Sequence, residues 1–473
     1  MKRIVSLLIV PLLATMLLAM PTVPATASAF PVKVHQETHT LVILHPHSEE
    51  FAQPVIDDFI EWVQETKGWD IDVTTIQKDS HACYEQVVEW NGNPEADIWW
   101  GGGEYYFEKA RGKGLLEPYT SVEDANIPDT LYGWRLKSEN REWYAAALSG
   151  FGFMWNKDYL QEHGLPEPET WEDLAKPIYH GHICMCDPAK SGSTTFTVLM
   201  LLQYFGWEKG FQLWANITGN VGFFTTSSHD VPTRVALGEY GIGIVIDYYA
   251  FERIRAGENI GFSYGGATTI SPDPVGILKG APHLEEAKLF IDYITSKRGQ
   301  EKVAYLRAPI RPDVETTDPV KNPYDPTQFP LFEYNTTLHG MLFGVARALF
   351  SNWLVINHEK AFEAYEKIKQ CEEQGLYDDP NYIAAVNAYL DIPDDVDTLE
   401  EAIAIGWGYK NYTAGWQNWG ATKFQEALDK ANKALGAAEA PSMQFDITTA
   451  VGIAIVIIIV AVIAAILLRK RKI

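Results

Sequence analysis

The sequence predicts an α/β protein built from two lobes, and three observations lead to that expectation. Residues 41–77 contain a strand, a helix and a second strand within one short span. Further short apolar strands follow, separated by helical stretches, which favours parallel sheets joined by crossover helices. The chain has 473 residues, and the roughly 400 between its two apolar ends exceed one ordinary domain.

The first strand–helix–strand unit has recognisable boundaries. "LVIL" at residues 41–44 is a short apolar strand, and the helical pattern after it runs from Ser48, a plausible N-cap, to Gly68, a stop signal. "IDVTTI" at residues 71–76 forms the second strand. The next strand, "ADIWW" at residues 96–100, ends in "GGG" before a helical stretch. This order predicts a parallel βαβ unit.

The middle of the chain predicts the passage between the lobes. Residues 143–160 read as strand, glycine break and strand, and "ICMCDP", "VGFFTT" and "GIGIVIDYY" are further short strands. After "DPVGILKGAPHLEEAKLFIDYITSKRGQEKVAYL", which ends at residue 306, we predict a mostly helical chain to about Leu435. We therefore expect lobe 1 to hold residues 30–148 and 270–435, with the helical extension, and lobe 2 to hold residues 149–269.

Both ends of the chain predict export and membrane attachment. Residues 1–29 have a basic start, an apolar run and a small-residue cleavage site, as in a secretory signal peptide. Residues 447–468 carry no charge and are long enough to span a bilayer as a helix. Residues 436–446 are a linker, and the basic tail 469–473 predicts a cytoplasmic C-terminus. The ectodomain would then be extracellular.

Charge and motifs exclude other classes of protein. The whole chain has a net charge of -24, and the basic residues at its two ends make the mature ectodomain more acidic still. Such a surface argues against nucleic acid as a partner, and we expect a monomeric ectodomain. An enzyme is disfavoured because "NHEKAF" has Phe362 where H-E-x-x-H requires its second histidine. A secreted metallohydrolase is the remote alternative.

Polar or glycine-rich segments follow five of the predicted strands. Ligands of open α/β sheets bind beyond the carboxyl ends of strands, so these segments are candidate ligand loops. Serines and threonines that open a helix offer free N–H groups and hydroxyls to an anion, although such residues are most often only caps. The candidate ligand-binding residues are His45, His47, Ser48, Trp100, Gly101, Gly102, Glu104, Ser191, Gly192, Ser193, Thr194, Thr195, Ser227, Ser228, His229, Asp247, Tyr248 and Tyr249.

Six segments, in this order, resemble the extracellular solute-binding proteins of ATP-driven importers, in the iron(III)-type branch. They are "ADIWWGGGEYYFEKARGKGLLEPY", "GFMWNKDYLQEHGLPEPETWEDLAKP", "CDPAKSGSTTF", "ALGEYGIGIVIDYYAF", "PDPVGILKGAPHLEEAKLFIDYITSKRGQE" and "APIRPDV". The resemblance implies a two-lobed fold of the periplasmic-binding-protein type, with hinge crossovers and ligand between the lobes. It also implies two partners, an ABC permease and a cytoplasmic ATPase, and no catalytic role.

The resemblance leaves two kinds of ligand open. Tyr248 and Tyr249 match the adjacent tyrosines of ferric-binding relatives, and His47 would match a histidine ligand, so Fe³⁺ is the first expectation. In that case a synergistic anion would occupy the turn at Ser191–Thr195. The "WGGG" loop departs from the pattern because it has glycine where ferric members can place a carboxylate, with Glu104 shifted toward the helix.

The alternative ligand is a polyoxyanion such as a sugar phosphate or a phosphonate. The serine-rich and glycine-rich loops suit it equally well, and Asp247 and His229 would then hold hydroxyl groups. No cofactor is required for either role, since Fe³⁺ would be cargo. The notable stretch "YHGHICMC", residues 179–186, alternates histidine and cysteine, but side chains along one strand face cannot by themselves enclose a zinc ion.

Overall fold

The structure is a computed structural model that describes residues 38–436. The predicted signal peptide at residues 1–29, the linker beyond residue 436, the apolar segment 447–468 and the basic tail 469–473 lie outside the described residues. The described chain alternates strands and helices through residue 303 and is mainly helical from residue 336. Residues 304–335 contain no helix, so the helical part of the chain, predicted to follow residue 306, begins only at Thr336.

Thirteen strands are present in the described part of the chain. They are β1 (Thr38–His45), β2 (Asp70–Gln77), β3 (Ile98–Trp100), β4 (Leu116–Glu117), β5 (Thr130–Leu131), β6 (Trp134–Arg135), β7 (Tyr144–Ser149), β8 (Phe151–Asn156), β9 (Ile183–Cys186), β10 (Val221–Thr225), β11 (Ile242–Ile246), β12 (Ile260–Ser263) and β13 (Ser271–Leu278).

The helices of the same residues come between and after these strands. They are α1 (Glu49–Lys67), α2 (Ser80–Trp90), α3 (Glu104–Gly112), α4 (Lys157–His163), α5 (Gly192–Phe205), α6 (Trp207–Asn220), α7 (Asp230–Ala236), α8 (Asp247–Arg255), α9 (Leu284–Thr295), α10 (Lys297–Val303), α11 (Thr336–Phe350), α12 (His358–Glu373), α13 (Pro380–Leu390), α14 (Leu399–Ile405) and α15 (Thr413–Ala434).

Two separate sheets define the two lobes. In lobe 1 the strand order is β2-β1-β3-β13-β4, with β7 paired to β13, and in lobe 2 it is β10-β9-β11-β8-β12. β1 pairs in parallel with β2 and β3, and β9 pairs in parallel with β10 and β11. The chain passes between the sheets at Gly150, which separates β7 from β8, and again between β12 and β13. The α/β, two-lobed fold class is therefore confirmed.

Helix α1 illustrates how the sequence sets a helix boundary. It begins after Ser48 and ends at Gly68, whose φ of 70° is the left-handed conformation that favours glycine. The Ser48 hydroxyl does not cap the helix, however. It donates a 2.7 Å hydrogen bond to Glu252 in α8 of lobe 2. Ser48 thus occupies the predicted N-cap position, but its side chain forms a hydrogen bond between the lobes.

The C-terminal extension, defined here as α11–α15, packs on lobe 2. Asn335, which caps α11, exchanges two hydrogen bonds with Gln203 of α5, of 2.9 and 3.1 Å. The Tyr389 hydroxyl donates to the carbonyl of Ala215 in α6 at 2.9 Å. Assignment of the extension to lobe 1 was therefore wrong. Helical periodicity identifies an apolar face but not the lobe that covers it.

No single helix within residues 38–436 is long and apolar enough to cross a membrane. One bent pair, Thr336–Val355 with His358–Glu373, meets the criteria of length and composition across a 66° break. Its first helix includes α11, in which Leu342 and Val345 are buried.

Replacement of Gly219 by alanine should destabilise the joint between lobe 2 and the extension. An added Cβ would lie 2.5 Å from the Tyr365 ring and 2.6 Å from the Tyr389 hydroxyl. Such overpacking of a core costs about 1–3 kcal/mol, which we expect as a lower free energy of unfolding in urea titrations. Gly340→Ala is the matched control, because a Cβ there meets nothing within 4 Å. Equal unfolding midpoints for the two variants would contradict the packing described.

Candidate functional site

The loops of the two lobes meet around one buried arginine, Arg307, whose side chain is 4% exposed. It forms an ion pair with Asp273 of β13 and donates through Nη2 to Nδ1 of His47 at 3.3 Å. Its guanidinium lies 3.9 Å from the centroid of the Tyr248 ring and 4.4 Å from that of Phe51. Arg307 therefore joins lobe 1 side chains to the first turn of α8 in lobe 2.

The protonation of His47 follows from this contact. An arginine has only donors, so Nδ1 of His47 must accept and the ring hydrogen must be on Nε2. Burial, and then the positive charge of Arg307, hold the pKa of His47 well below its ordinary value. Burial likewise lowers the pKa of His45 to about 4. Both rings are therefore neutral at physiological pH.

The glycine loop after β3 makes room for the His47 ring. At Gly101 φ is 94°, and an added Cβ would lie 2.4 Å from the ring of His47. The N–H of Gly102 donates to Asp273 at 2.9 Å, so the loop also supports the carboxylate that pairs with Arg307. Trp100 is fully buried beneath the site, with its ring centroid 4.5 Å from that of His47. Trp100 is thus part of the floor rather than a free surface.

Lobe 2 contributes a chain of hydroxyl groups. The rings of Tyr248 and Tyr249 lie 4.6 Å apart, and the Tyr249 hydroxyl is 3.2 Å from Nε2 of His229 and 3.5 Å from the Ser228 hydroxyl. Ser227 stands beside them, and its hydroxyl accepts from the backbone N–H of His229 at 3.3 Å. Burial raises the pKa of both tyrosines, Tyr248 the more strongly. They are neutral phenols here.

Two carboxylic acids on α8 complete the lobe 2 side. Glu252 accepts from the Ser48 hydroxyl across the cleft, and burial raises its pKa. Asp247 is 1% exposed, and its Oδ2 accepts from the backbone N–H of Gly150 at 2.7 Å and from the Tyr264 hydroxyl at 2.8 Å. Burial raises the pKa of Asp247 to about 7. Asp247 therefore fixes the crossover at Gly150.

Several buried polar atoms around this cluster have no hydrogen-bond partner among the described residues. They are Nε2 of His47, Nε of Arg307, Oδ1 of Asp247 and the hydroxyl of Ser149. A buried polar atom without a partner is costly, and such atoms rarely occur together by chance. The arrangement can accept a small polar ligand that supplies the missing partners.

The loop at residues 191–195 is held by its own bonds. Ser191 caps α5 by accepting from the N–H of Thr194 at 3.1 Å, and its hydroxyl is 3.0 Å from that of Ser193. Thr195 donates to the carbonyls of Pro188 and Ser191. Gly192 is exposed. No hydrogen bond of the described residues joins this loop to the Arg307 cluster.

Glu104 also stands apart from the cluster. It is half-buried in the first turn of α3, where burial, and then the neighbouring Glu108, raise its pKa to about 7. No hydrogen bond of the described residues joins it to Arg307.

The histidine–cysteine stretch forms part of the lobe 2 scaffold. β9 begins only at Ile183, so His180 and His182 lie in the turn before it and are half-buried rather than exposed. Cys184 and Cys186 are fully buried free thiols, and burial raises their pKa values to about 12 and about 11. Within residues 38–436 no group of three or more His, Cys, Asp or Glu side chains could hold a metal ion.

Three residues of the site were missed in the sequence: Arg307, Asp273 and Glu252. Asp273 and Arg307 carried a usable signal, since each is a single charge in an otherwise apolar segment, "SPDPVGIL" and "YLRAPI". A lone charge in such a setting must be paired when it is buried. Glu252 carried none, because "FERIR" has the composition of an ordinary solvated helix face.

The pKa of Asp247 predicts a specific pH dependence of stability. Its folded-state pKa of about 7 lies above the unfolded value, so the folded state binds the extra proton and loses stability as pH rises through 7. Asp247→Asn mimics the protonated acid and should remove that loss. As the pH rises from 5 to 8, the free energy of unfolding of the variant minus that of the parent should increase by roughly 2–3 kcal/mol. Urea titrations at several pH values measure the difference, and a constant difference would refute the assignment.

Residues 93–333 match the family described as bacterial extracellular solute-binding protein. The phosphoglycerate transport regulatory protein PgtC of Salmonella typhimurium is 35% identical over 160 residues, which span 34% of this chain and 40% of that relative. An Fe(3+)-binding periplasmic protein of Serratia marcescens is 24% identical over 288 residues, 58% of this chain and 78% of that protein.

The fold has a solved counterpart. The periplasmic binding protein AfuA of Actinobacillus pleuropneumoniae, solved with exogenous fructose-6-phosphate, superposes with a TM-score of 0.55 at 24% identity. The match covers 67% of this chain and 98% of that chain. Members of the matched family are binding proteins that serve ABC importers, working with a permease and an ATPase, rather than enzymes. With the matched region, the two lobes and the buried polar cleft in agreement, this chain belongs to the bacterial extracellular solute-binding proteins.

Proposed function

We propose that the chain captures a phosphorylated small molecule in the cleft around Arg307 and delivers it to an ABC permease. The observation that carries the proposal is the buried guanidinium of Arg307, with Nε unpartnered, beside a His47 whose Nε2 is also unpartnered. Both atoms are donors, and charge-assisted donors in a buried site suit an oxyanion. The hydroxyl groups of Ser48, Ser228 and Tyr249 would then orient the rest of the molecule.

The same arginine disfavours a ferric ion at the predicted ligands. The metal set predicted from the sequence was His47, Tyr248 and Tyr249. Arg307 contacts two of the three, at 3.3 Å from Nδ1 of His47 and 3.9 Å from the Tyr248 ring centroid. A fixed cation at that distance repels Fe³⁺ strongly in a buried site of low dielectric constant. The phenols would also have to lose protons against the raised pKa values that burial causes.

Ferric iron remains the second candidate because one observation favours it. The adjacent rings of Tyr248 and Tyr249 have centroids 4.6 Å apart, and phenolate oxygens are hard donors that suit Fe³⁺. The Serratia relative is named for Fe(3+) binding, whereas PgtC is named for phosphoglycerate transport. The names of these two relatives span both ligand classes and do not discriminate between them. The contacts of Arg307 therefore decide which ligand we propose first.

Calorimetry on the full chain tests the choice directly. We expect binding of 3-phosphoglycerate or fructose 6-phosphate and no tyrosinate–iron colour after loading with Fe³⁺-citrate. Arg307→Gln should weaken binding of the phosphorylated probe at least about thirty-fold, because it removes a buried charged partner. Binding of Fe³⁺ with a visible colour that Tyr248→Phe and Tyr249→Phe abolish would instead support the ferric candidate.

Two further variants make this measurement decisive. Arg307→Gln leaves Asp273 buried without its cation, so the double variant with Asp273→Asn restores a neutral pair and should fold while still binding poorly. Arg234→Gln is the matched arginine control. Its side chain pairs with Glu239 on lobe 2 and takes no part in the cleft. Equal affinities for all three variants and the parent would overturn the role of Arg307.

We also propose that residues 447–468 anchor the protein in the membrane, with the lobes outside and the basic tail 469–473 inside. The support is the uncharged run of residues followed directly by four basic ones. Ile458→Arg should move the full chain from the carbonate-resistant membrane fraction to the soluble fraction, since a central arginine costs about 2.5–3.5 kcal/mol on insertion scales. Ser442→Arg, in the linker, is the control. Retention of the Ile458→Arg variant in the membrane would refute the anchor.

A further inference from the structure

The extension α11–α15 lies outside the family match, which ends at residue 333. Some hundred residues of ordered helix are thus present beyond the region that the solute-binding family accounts for. The extension is firmly attached to lobe 2 and makes two contacts to lobe 1. In the first, His339 of α11 packs against the buried Trp134 of β6, with ring centroids 5.6 Å apart. Trp134 also donates to Thr269 in the second crossover at 3.1 Å, so this contact lies beside the hinge. The other contact is at α3 and indicates what the extension does.

The firm attachment is to lobe 2. Besides the bonds of Asn335 and Tyr389 already described, His358 bonds through Nε2 to the carbonyl of Val221 at 2.7 Å, and Trp207 donates to the carbonyl of Val396 at 2.9 Å. The ring of Phe362 stacks on His180 at 3.8 Å. Buried hydrogen bonds and stacked rings of this number make the extension move with lobe 2 as one body.

The second contact to lobe 1 is at α3, away from Trp134 in sequence, and it is slight. The ring of Tyr105 stacks on Phe343 of α11, with centroids 5.5 Å apart and planes 16° from parallel. The ammonium group of Lys109 lies 4.3 Å from the Tyr105 ring and 5.9 Å from the ring of Trp407. The Trp407 turn is itself seated on α11, because Tyr409 packs over Gly344, where an added Cβ would lie 2.6 Å from its ring.

The contact between α3 and the extension can separate and re-form at little cost. Tyr105 and Phe343 are half-buried, and Lys109 and Trp407 are exposed. Among the described residues no hydrogen bond or ion pair joins α3 to the extension, so parting the two surfaces leaves no polar group unsatisfied. Ring stacking and a cation over a ring are short-ranged and lose most of their attraction within a few ångströms.

We propose that the extension is a latch between the lobes. It is carried by lobe 2 and holds lobe 1 through Tyr105 and Lys109 when the cleft is closed. The contact of α3 with the extension is separate from the cleft contact between Ser48 and Glu252. The contact at α3 therefore favours the closed form whatever the ligand is. The ratio of closed to open molecules should therefore depend on Tyr105 and Phe343, which touch no residue of the Arg307 cluster.

The distance between the lobes in the full chain measures this ratio without any ligand. Spin labels on Thr74→Cys in lobe 1 and Glu162→Cys in lobe 2 occupy exposed positions, and the four native cysteines are buried. In pulsed dipolar measurements, Tyr105→Ala and Phe343→Ala should each lower the ratio of closed to open molecules by roughly two- to ten-fold. Their double variant should fall little further, because both remove the same contact.

Two control variants test whether the loss of the Tyr105 ring itself causes the shift. Tyr105→Phe keeps the ring and should keep the parental distribution. Tyr377→Ala removes an exposed ring of the extension that pairs with Tyr382 in the same extension, and it should change nothing. An unchanged distribution in Tyr105→Ala would overturn the latch, and a shift toward the closed form would show that the extension is a wedge. Because no ligand is added, these outcomes are independent of the choice between phosphate and iron.

Discussion

The buried charge of Arg307 is the constraint around which the cleft is arranged. A guanidinium removed from water is tolerated only when it is paired and hydrogen-bonded, and here Asp273, His47 and the faces of Tyr248 and Phe51 surround it. Those requirements extend outward. Asp273 must be held by the glycine loop, and the His47 ring requires a glycine at residue 101. One charge thus accounts for residues in β3, β13 and the first turns of α1 and α8.

The same interactions explain how two separate sheets act on one site. Arg307 belongs to lobe 1, yet it lies over Tyr248 of lobe 2, while Ser48 donates to Glu252 across the gap. Asp247 of α8 holds the crossover at Gly150 through Oδ2. Asp247 directly precedes Tyr248, whose ring lies against Arg307. A shift of the first turn of α8 would therefore disturb both the bond at the crossover and the packing on Arg307.

Local patterns predicted the fold well and the site only in part. Ser48 and Gly68 marked α1, and alternating apolar runs marked β8, β9 and β11, because these signals depend on neighbours in sequence. His47, Tyr248 and Gly101 could be chosen from the sequence because they follow strand ends. Arg307 was missed because its contacts are with partners 34 and 260 residues away. The loop at Ser191 stays a prediction, since a cap and a ligand seat use the same residue types.

The lobe to which the extension attaches was also not predictable from local sequence patterns. The helical periods of α11–α15 were visible, but an amphipathic helix states only that it has an apolar face. The deciding residues were polar: Asn335 and Gln203, and the hydroxyl of Tyr389, whose partners lie far away in sequence. Apolar burial supplies most of the attraction at that joint, yet it is indifferent to orientation. Buried hydrogen bonds penalise every wrong orientation, and so they determine that the extension is carried by lobe 2, while it contacts lobe 1 through the rings of Trp134 and Tyr105.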